Sequence, residues 1–121
     1  MGDGNLILII DDDCDIHFFL RRFFRKLGMK TLHAETLEDA ISKVQYKPSF
    51  IFLDNQLPDG LGIDFIPQLQ SLASDAIIVV MTAYMPPETE QQAIARGAQH
   101  FIEKPFNFGD LLEVFGKVMQ S

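Results

Sequence analysis

Cysteine is nearly absent from this sequence: Cys14 is the one thiol among 121 residues. No intramolecular disulfide can form, and a cysteine-rich zinc site is excluded with it. Long hydrophobic runs are missing too. Leu6-Ile7-Leu8-Ile9-Ile10, the first, falls far short of the ~20 residues that cross a bilayer, as does the run from Ala76 to Met81. No basic segment precedes the first run and no small-residue cleavage site follows it, so it does not read as a secretory signal. Positive charge is scarce. Ten Lys and Arg face 17 Asp and Glu, for a net charge of −7. Beyond residue 48 the only bases are Arg96, Lys104 and Lys117. The one basic cluster, Arg21, Arg22, Arg25 and Lys26, reads as a solvated helix face and not as a nucleic-acid footprint. Repeats, linkers and low-complexity stretches are also lacking. The expectation is one domain over residues 1–121, in a reduced, cytoplasmic setting, with neither a membrane nor a nucleic acid as direct partner.

What is present is ordinary globular material, 47% apolar and 22% charged, arranged as short apolar runs alternating with amphipathic stretches. Leu6–Ile10 reads as a strand buried on both faces. Asp13 then caps a helix with Ile16, Phe19, Leu20, Phe23, Phe24 and Leu27 inward, closed by Gly28. Residues 30–33 form a short strand, and Thr36 caps a helix over residues 37–46 with Leu37, Ala40, Ile41 and Val44 inward. A third buried strand covers residues 50–53. Ile63, Ile66, Leu69 and Leu72 mark a third helix, with Pro67 inside it. A fourth strand covers residues 76–81, and Pro86-Pro87 opens a helix ending at Arg96-Gly97. A fifth strand covers residues 99–102. Asn107, three residues before Asp110, caps a last helix carrying Leu111, Leu112, Phe115 and Val118. Five βα units predict an α/β fold: a five-stranded, doubly wound parallel sheet of the flavodoxin-like type, strand order 2-1-3-4-5.

In such sheets ligands bind beyond the carboxyl ends of the strands. There the sequence places Asp11-Asp12-Asp13, Asp54, Thr82-Ala83 and Lys104-Pro105. Any one of them alone is a helix cap or a loop residue; their convergence on one rim is the informative feature. Two carboxylates about 4 Å apart repel by roughly 4 kcal/mol at an effective dielectric near 20. They stay ionised together only with a cation between them. Oxygen ligands with open positions suit Mg²⁺ or Mn²⁺. A carboxylate beside such a cation can attack phosphorus, with a lysine and a hydroxyl answering the phosphoryl oxygens. The group reads as metal-assisted phosphoryl transfer onto an aspartate.

These motifs resemble one family. Ile9-Ile10-Asp11-Asp12-Asp13, Phe52-Leu53-Asp54 with Leu57-Pro58-Asp59-Gly60, Met81-Thr82-Ala83 and Glu103-Lys104-Pro105-Phe106 are similar to response-regulator receiver domains, the CheY-like family of two-component signalling. The resemblance runs through essentially the whole chain. It implies a phosphorylation-controlled switch, not a turnover enzyme, that accepts its phosphoryl group from a histidine kinase or histidine phosphotransferase. It assigns Asp54 as phosphoacceptor, Asp12 as direct metal ligand and Asp11 as acting largely through water. Gln56 would lend its backbone carbonyl to the metal. Thr82 becomes the switch hydroxyl, Lys104 the phosphate-binding lysine and Phe101 the switch aromatic. Lys104-Pro105 is expected to be cis. The output face would be the fourth helix, fifth strand and fifth helix, contacting a downstream domain or protein, with a homodimer through that face as a further expectation.

Three readings are weighed against it. A flavin carrier needs a phosphate-cradling loop where this chain has three aspartates. A small aspartyl phosphatase places two aspartates one residue apart, whereas Asp54 is followed by Asn55-Gln56. A phosphate-independent interaction module would not need the intact acidic site. Phe18 falls opposite the apolar arc of the first helix, beside Arg21, Arg22 and Arg25, and is a candidate docking contact for the phosphodonor. Ala93, Ile94 and Ala95 are the few burial candidates of the fourth helix, as befits an element that moves. His17, His33 and His100 share no metal-ligand spacing. The chain stops just after its last helix, which inclines the expectation toward a receiver cut from a longer regulator.

Overall fold

A computed structural model describes residues 6–119; the outer limits of the expected 1–121 domain lie outside the described residues. Strand and helix alternate: β1 (Leu6–Ile10), α1 (Cys14–Lys26), β2 (Lys30–Ala34), α2 (Leu37–Lys43), β3 (Phe50–Asp54), α3 (Gly62–Leu72), β4 (Ile77–Thr82), α4 (Pro87–Arg96), β5 (His100–Glu103) and α5 (Phe108–Val118). The five strands are all parallel, in the order β2-β1-β3-β4-β5. The doubly wound sheet expected from the alternation is therefore the observed one.

Strand alternation divides the core in two. Leu8, Ile10, Ile51, Leu53, Ile78 and Val80 point to one face, covered by Leu37 and Ala40 of α2, Ile63, Ile66 and Leu69 of α3, and Ala93 of α4. Ile7, Ile9, Phe50, Phe52, Val79 and Met81 point to the other, under Leu20, Phe23 and Phe24 of α1 and Leu111, Phe115 and Val118 of α5. That second layer is aromatic. Phe24 meets Phe52 and Phe115 edge-on, with ring centroids 5.3 Å apart in each pair, a geometry that adds to area burial.

Element ends fall within a residue or two of expectation, with a few instructive departures. The second helix loosens into a 3-10 turn over Val44–Tyr46 before Lys47 turns left-handed. Leu27, expected inward, is exposed, as are Leu72 of α3 and Leu112 of α5. Leu27 sits past the end of α1, where Gly28 at φ 77° turns the chain away. Leu72 is the last residue of α3. Leu112 lies one position, about 100°, off the stripe that α5 buries. In α4 only Ala93 is buried, while Ile94 and Ala95 face outward. Polar ties hold its far end to α3: Arg96 to Asp64 at 3.0 Å, and Gln70 Nε2 donating to the Gly97 carbonyl at 3.1 Å. A two-residue hairpin pairing Gln56–Leu57 with Gly60–Leu61 was not expected at all.

One close approach matters to the rim. Asn55, directly after β3, caps α3: its side-chain oxygen accepts the Ile63 N–H at 3.1 Å, and its carbonyl accepts the Gly62 N–H at 2.7 Å. This brings Gly62 so near that a Cβ there would stand 2.4 Å from the Asp54 carbonyl oxygen. Gly62→Ala is therefore expected to lower unfolding free energy by about 1–3 kcal/mol, as over-packing does. Gly116→Ala in α5, where a Cβ meets nothing within 4 Å, should raise it by about 0.4–1 kcal/mol. Urea denaturation measures both; a harmless Gly62→Ala would refute the close approach.

Candidate functional site

The rim assembles where four strands end. Asp11 follows β1, and its N–H still donates to the Ala34 carbonyl at 2.9 Å. Its carboxylate is wholly buried and fully engaged. The Asp13 N–H donates to Oδ1 and Lys104 Nζ to Oδ2, each at 2.8 Å. Asp12 is exposed. Asp13 points away to cap α1, accepting the Asp15 N–H at 2.9 Å. Asp54 closes β3, is 6% exposed, and accepts the Gln56 N–H at 3.3 Å. Thr82 closes β4, and its hydroxyl donates to the Tyr84 carbonyl at 3.1 Å. Lys104 follows β5, where its N–H donates to the Thr82 carbonyl at 2.8 Å and its peptide bond to Pro105 is cis, as expected.

Lys104 Nζ stands between the two buried acids, 2.8 Å from Asp11 and 3.3 Å from Asp54. Burial raises the Asp54 pKa above the ordinary carboxylate value, and the charge of Asp11 raises it further, while Lys104 and the Gln56 amide pull against them. Burial works against the Lys104 ammonium, yet its hydrogen bond to Asp11 and the charges of both acids outweigh that and raise its pKa. The lysine is thus a fixed cation, and the three rim carboxylates Asp11, Asp12 and Asp54, when ionised, outnumber it by two charges.

That deficit is what a divalent cation would fill. Asp11, Asp12 and Asp54 each offer a carboxylate oxygen, all within 4.8 Å of one another. The donors are hard oxygens with solvent on the Asp12 side, which fits Mg²⁺, Mn²⁺ or Ca²⁺ and not a thiolate-seeking metal. Gln56 opens the small hairpin beside them.

Of the other sequence-predicted residues, Phe101 lies on β5, half-buried against the α2–α3–α4 side of the core. It lines a pocket with Thr82, Met85 and Glu90. Phe18 is apart from the rim, 58% exposed on α1, with the Arg22 guanidinium 5.8 Å over its ring.

Two features escaped sequence reading. The Asp59 carboxylate reaches the start of α2 and accepts the Leu37 N–H at 2.9 Å and the Glu38 N–H at 3.1 Å. The Leu37 amide, first among these contacts, lowers its pKa. Pro58-Asp59-Gly60 signals a turn, but not a helix 22 positions away. The imidazoles of His17 and His33 stack face to face, centroids 3.7 Å apart and planes within 10°. Burial, then His33, lowers the His17 pKa, so that ring is neutral near pH 7.

Residues 7–115 match the family model for the response regulator receiver domain. The chain is 36% identical over 106 residues to the KDP operon transcriptional regulatory protein KdpE of Escherichia coli, covering 87% of this chain and 47% of that one. It is 31% identical over 112 residues to the photosynthetic apparatus regulatory protein RegA of Rhodobacter capsulatus, covering 92% and 61%. It spans less than two thirds of the length of either. Among solved structures, a two-component response regulator from Clostridium difficile superimposes with a TM-score of 0.89 at 28% identity, covering 96% of each chain. A Burkholderia pseudomallei response regulator with a phosphorylated aspartic acid, calcium ion and citrate matches with a TM-score of 0.85 at 28% identity, over 96% of this chain and 71% of that one.

The raised pKa of Asp54 has a sign that can be read. A carboxyl whose folded value exceeds its unfolded one costs stability at neutral pH and returns it as pH falls through the folded value. Without divalent cation, Asp54→Asn is expected to raise the melting temperature at pH 7 by roughly 2–5 °C, about 1 kcal/mol. The gain should shrink in acid. Melting curves across pH check it; a lower melting temperature at pH 7 would mean that the Lys104 pairing outweighs burial.

Proposed function

This chain belongs to the response regulator receiver domain family, and from that premise we propose that Asp54 accepts a phosphoryl group from a histidine kinase or histidine phosphotransferase and thereby switches the output face. Members of this family are signalling proteins of two-component systems. The observation that carries the proposal is the single ammonium of Lys104 shared by two buried carboxylates at the rim, with Asp12 beside them.

In this reading an oxygen of Asp54 attacks phosphorus in line with the leaving nitrogen of a phosphohistidine. The P–O bond forms, the P–N bond breaks, and its electron pair leaves with the imidazole. Lys104 Nζ, already 3.3 Å from Asp54 Oδ2, answers charge on the phosphoryl oxygens. Asp11 holds that ammonium in place at 2.8 Å. Asp11, Asp12, Asp54 and the main-chain carbonyl of Gln56 are the proposed metal ligands. Mg²⁺, with Mn²⁺ as substitute, would supply there the charge that lets the acids ionise together and offsets the phosphoryl oxygens. Loss of the group is the same chemistry with water attacking phosphorus and Asp54 leaving.

The switch follows from a hydroxyl with two suitors. The Thr82 Oγ1–H donates to the Tyr84 carbonyl at 3.1 Å. Turning to a phosphoryl oxygen, it releases that carbonyl and the segment leading into α4. Phe101 adjoins the same pocket and can fill it. The proposed output surface is α4–β5–α5, where Ile94 and Leu112 are exposed. A downstream domain or protein is its proposed partner, and a second copy of the chain is another. Among the described residues no helix is long and apolar enough to cross a membrane; the proposed setting is the cytoplasm, which suits the free, exposed Cys14.

Incubation with Mg²⁺ and acetyl phosphate is expected to add one phosphoryl group by intact mass. The gain should be absent from Asp54→Asn and without Mg²⁺. No gain in a folded protein that binds Mg²⁺ would leave only a kinase-supplied phosphoryl group. No gain and no Mg²⁺ binding would favour a phosphate-independent interaction module. Phe18 is the proposed docking contact for the phosphodonor. Phe18→Ala is expected to slow phosphotransfer from the cognate donor several-fold, as loss of an exposed aromatic anchor does, and to leave acetyl phosphate loading unchanged. Equal slowing with both donors would overturn the docking role.

A further inference from the structure

The Asp11 carbonyl oxygen belongs to a wholly buried residue, and a buried carbonyl needs a donor. The β1–β2 ladder does not supply one. Its paired register ends at Ile10 with Ala34, and the Asp11 N–H makes the last strand bond, to the Ala34 carbonyl. In a parallel ladder the next donor to the Asp11 carbonyl would be the main-chain N–H of Thr36. Thr36 has instead turned aside to cap α2, its hydroxyl accepting the Asp39 N–H at 3.0 Å. His33 fills the gap: its Nε2 lies 2.7 Å from the Asp11 carbonyl oxygen. A carbonyl only accepts, so Nε2 carries the proton whatever charge the ring has.

The ring has a neighbour to lean on. His17 of α1 stacks on it at 3.7 Å, and the main-chain N–H of His17 donates to the Asp13 carbonyl at 3.1 Å within the first turn of α1. The Lys43 ammonium of α2 donates to the His33 carbonyl and also pairs with Asp39 at 3.0 Å. The turn 11–13, which carries the acids, is thus tied to the edge strand β2 through one imidazole, on which α1 stacks and whose main chain α2 holds.

We propose that His33, braced by His17, is a positioning residue for the acidic rim, its Nε2–H fixing the peptide that aims Asp11 and Asp12 at a divalent cation. The inference rests on the metal-binding reading of the rim given above. Residues that orient metal ligands without touching the metal weaken binding by about 10–100-fold when removed. His33→Phe keeps a ring for His17 to stack on and removes the donor. His33→Gln loses the ring but keeps an N–H near the position of Nε2.

Titration calorimetry with Mg²⁺, beside thermal melts, tests it. His33→Phe is expected to bind Mg²⁺ roughly 10-fold more weakly, at the low end of that range, and His33→Gln within about threefold of the parent. In acetyl phosphate loading, the Phe variant should need more Mg²⁺ for half-maximal rate and reach the parent rate at saturation. Unchanged Mg²⁺ affinity in His33→Phe, or equal weakening in both variants at parental melting temperature, would overturn the positioning role. Failure of the parent itself to bind Mg²⁺ would instead overturn the metal reading. Should His33→Phe fail to fold, ring ¹⁵N shifts of the parent decide: a neutral His33 protonated at Nε2 supports the proposal, and one protonated at Nδ1 refutes it.

Discussion

Two carboxylates buried side by side with one ammonium between them are the constraint on which this molecule is built. Asp11 and Asp54 lie at the ends of adjacent central strands, and Lys104 reaches them from beyond the sheet's edge strand β5. Removing Lys104 would leave two buried carboxylates without their cation, which costs more than the cluster itself contributes. The surrounding backbone is shaped accordingly. The Asp13 and Gln56 amides donate to the acids, the Lys104 N–H ties β5 to the Thr82 carbonyl, and Gly62 leaves room for the Asp54 carbonyl. The cluster is satisfied as a set of hydrogen bonds but short of positive charge, which is why it suits a cation.

The two faces of the sheet are built differently. Beneath α1 and α5 the core is interlocked phenylalanine, with Phe23, Phe24, Phe52 and Phe115 packed edge to face. On the other face α4 adds only Ala93 to the core and is otherwise tied to α3 by polar contacts. Burial that small releases at low cost. The segment joining the Thr82 hydroxyl to α4 therefore lies between a rigid sheet and a loosely held helix.

Much of this was legible in the residues. The uninterrupted apolar run of β1 could only be a strand covered on both faces, and Asp13, Thr36 and Asn107 announced the helix starts they cap. Local signals had local causes. Inwardness at helix ends was less legible, because Leu27 and Leu72 fit the periodicity and yet lie at or past the last turn of their helices.

The linear order of residues determined the βα alternation, the strand ends that carry acid, hydroxyl and lysine, and the family to which they belong. It could do so because propensity, capping and side-chain period act over a few residues. Tertiary structure alone decided that Lys104 meets Asp11 across 93 positions, that Asp59 caps a helix already past, and that His33 stacks on His17 and completes the Asp11 peptide. Each of these contacts joins elements brought together only by the closing of the sheet, and no local pattern encodes the distance between them.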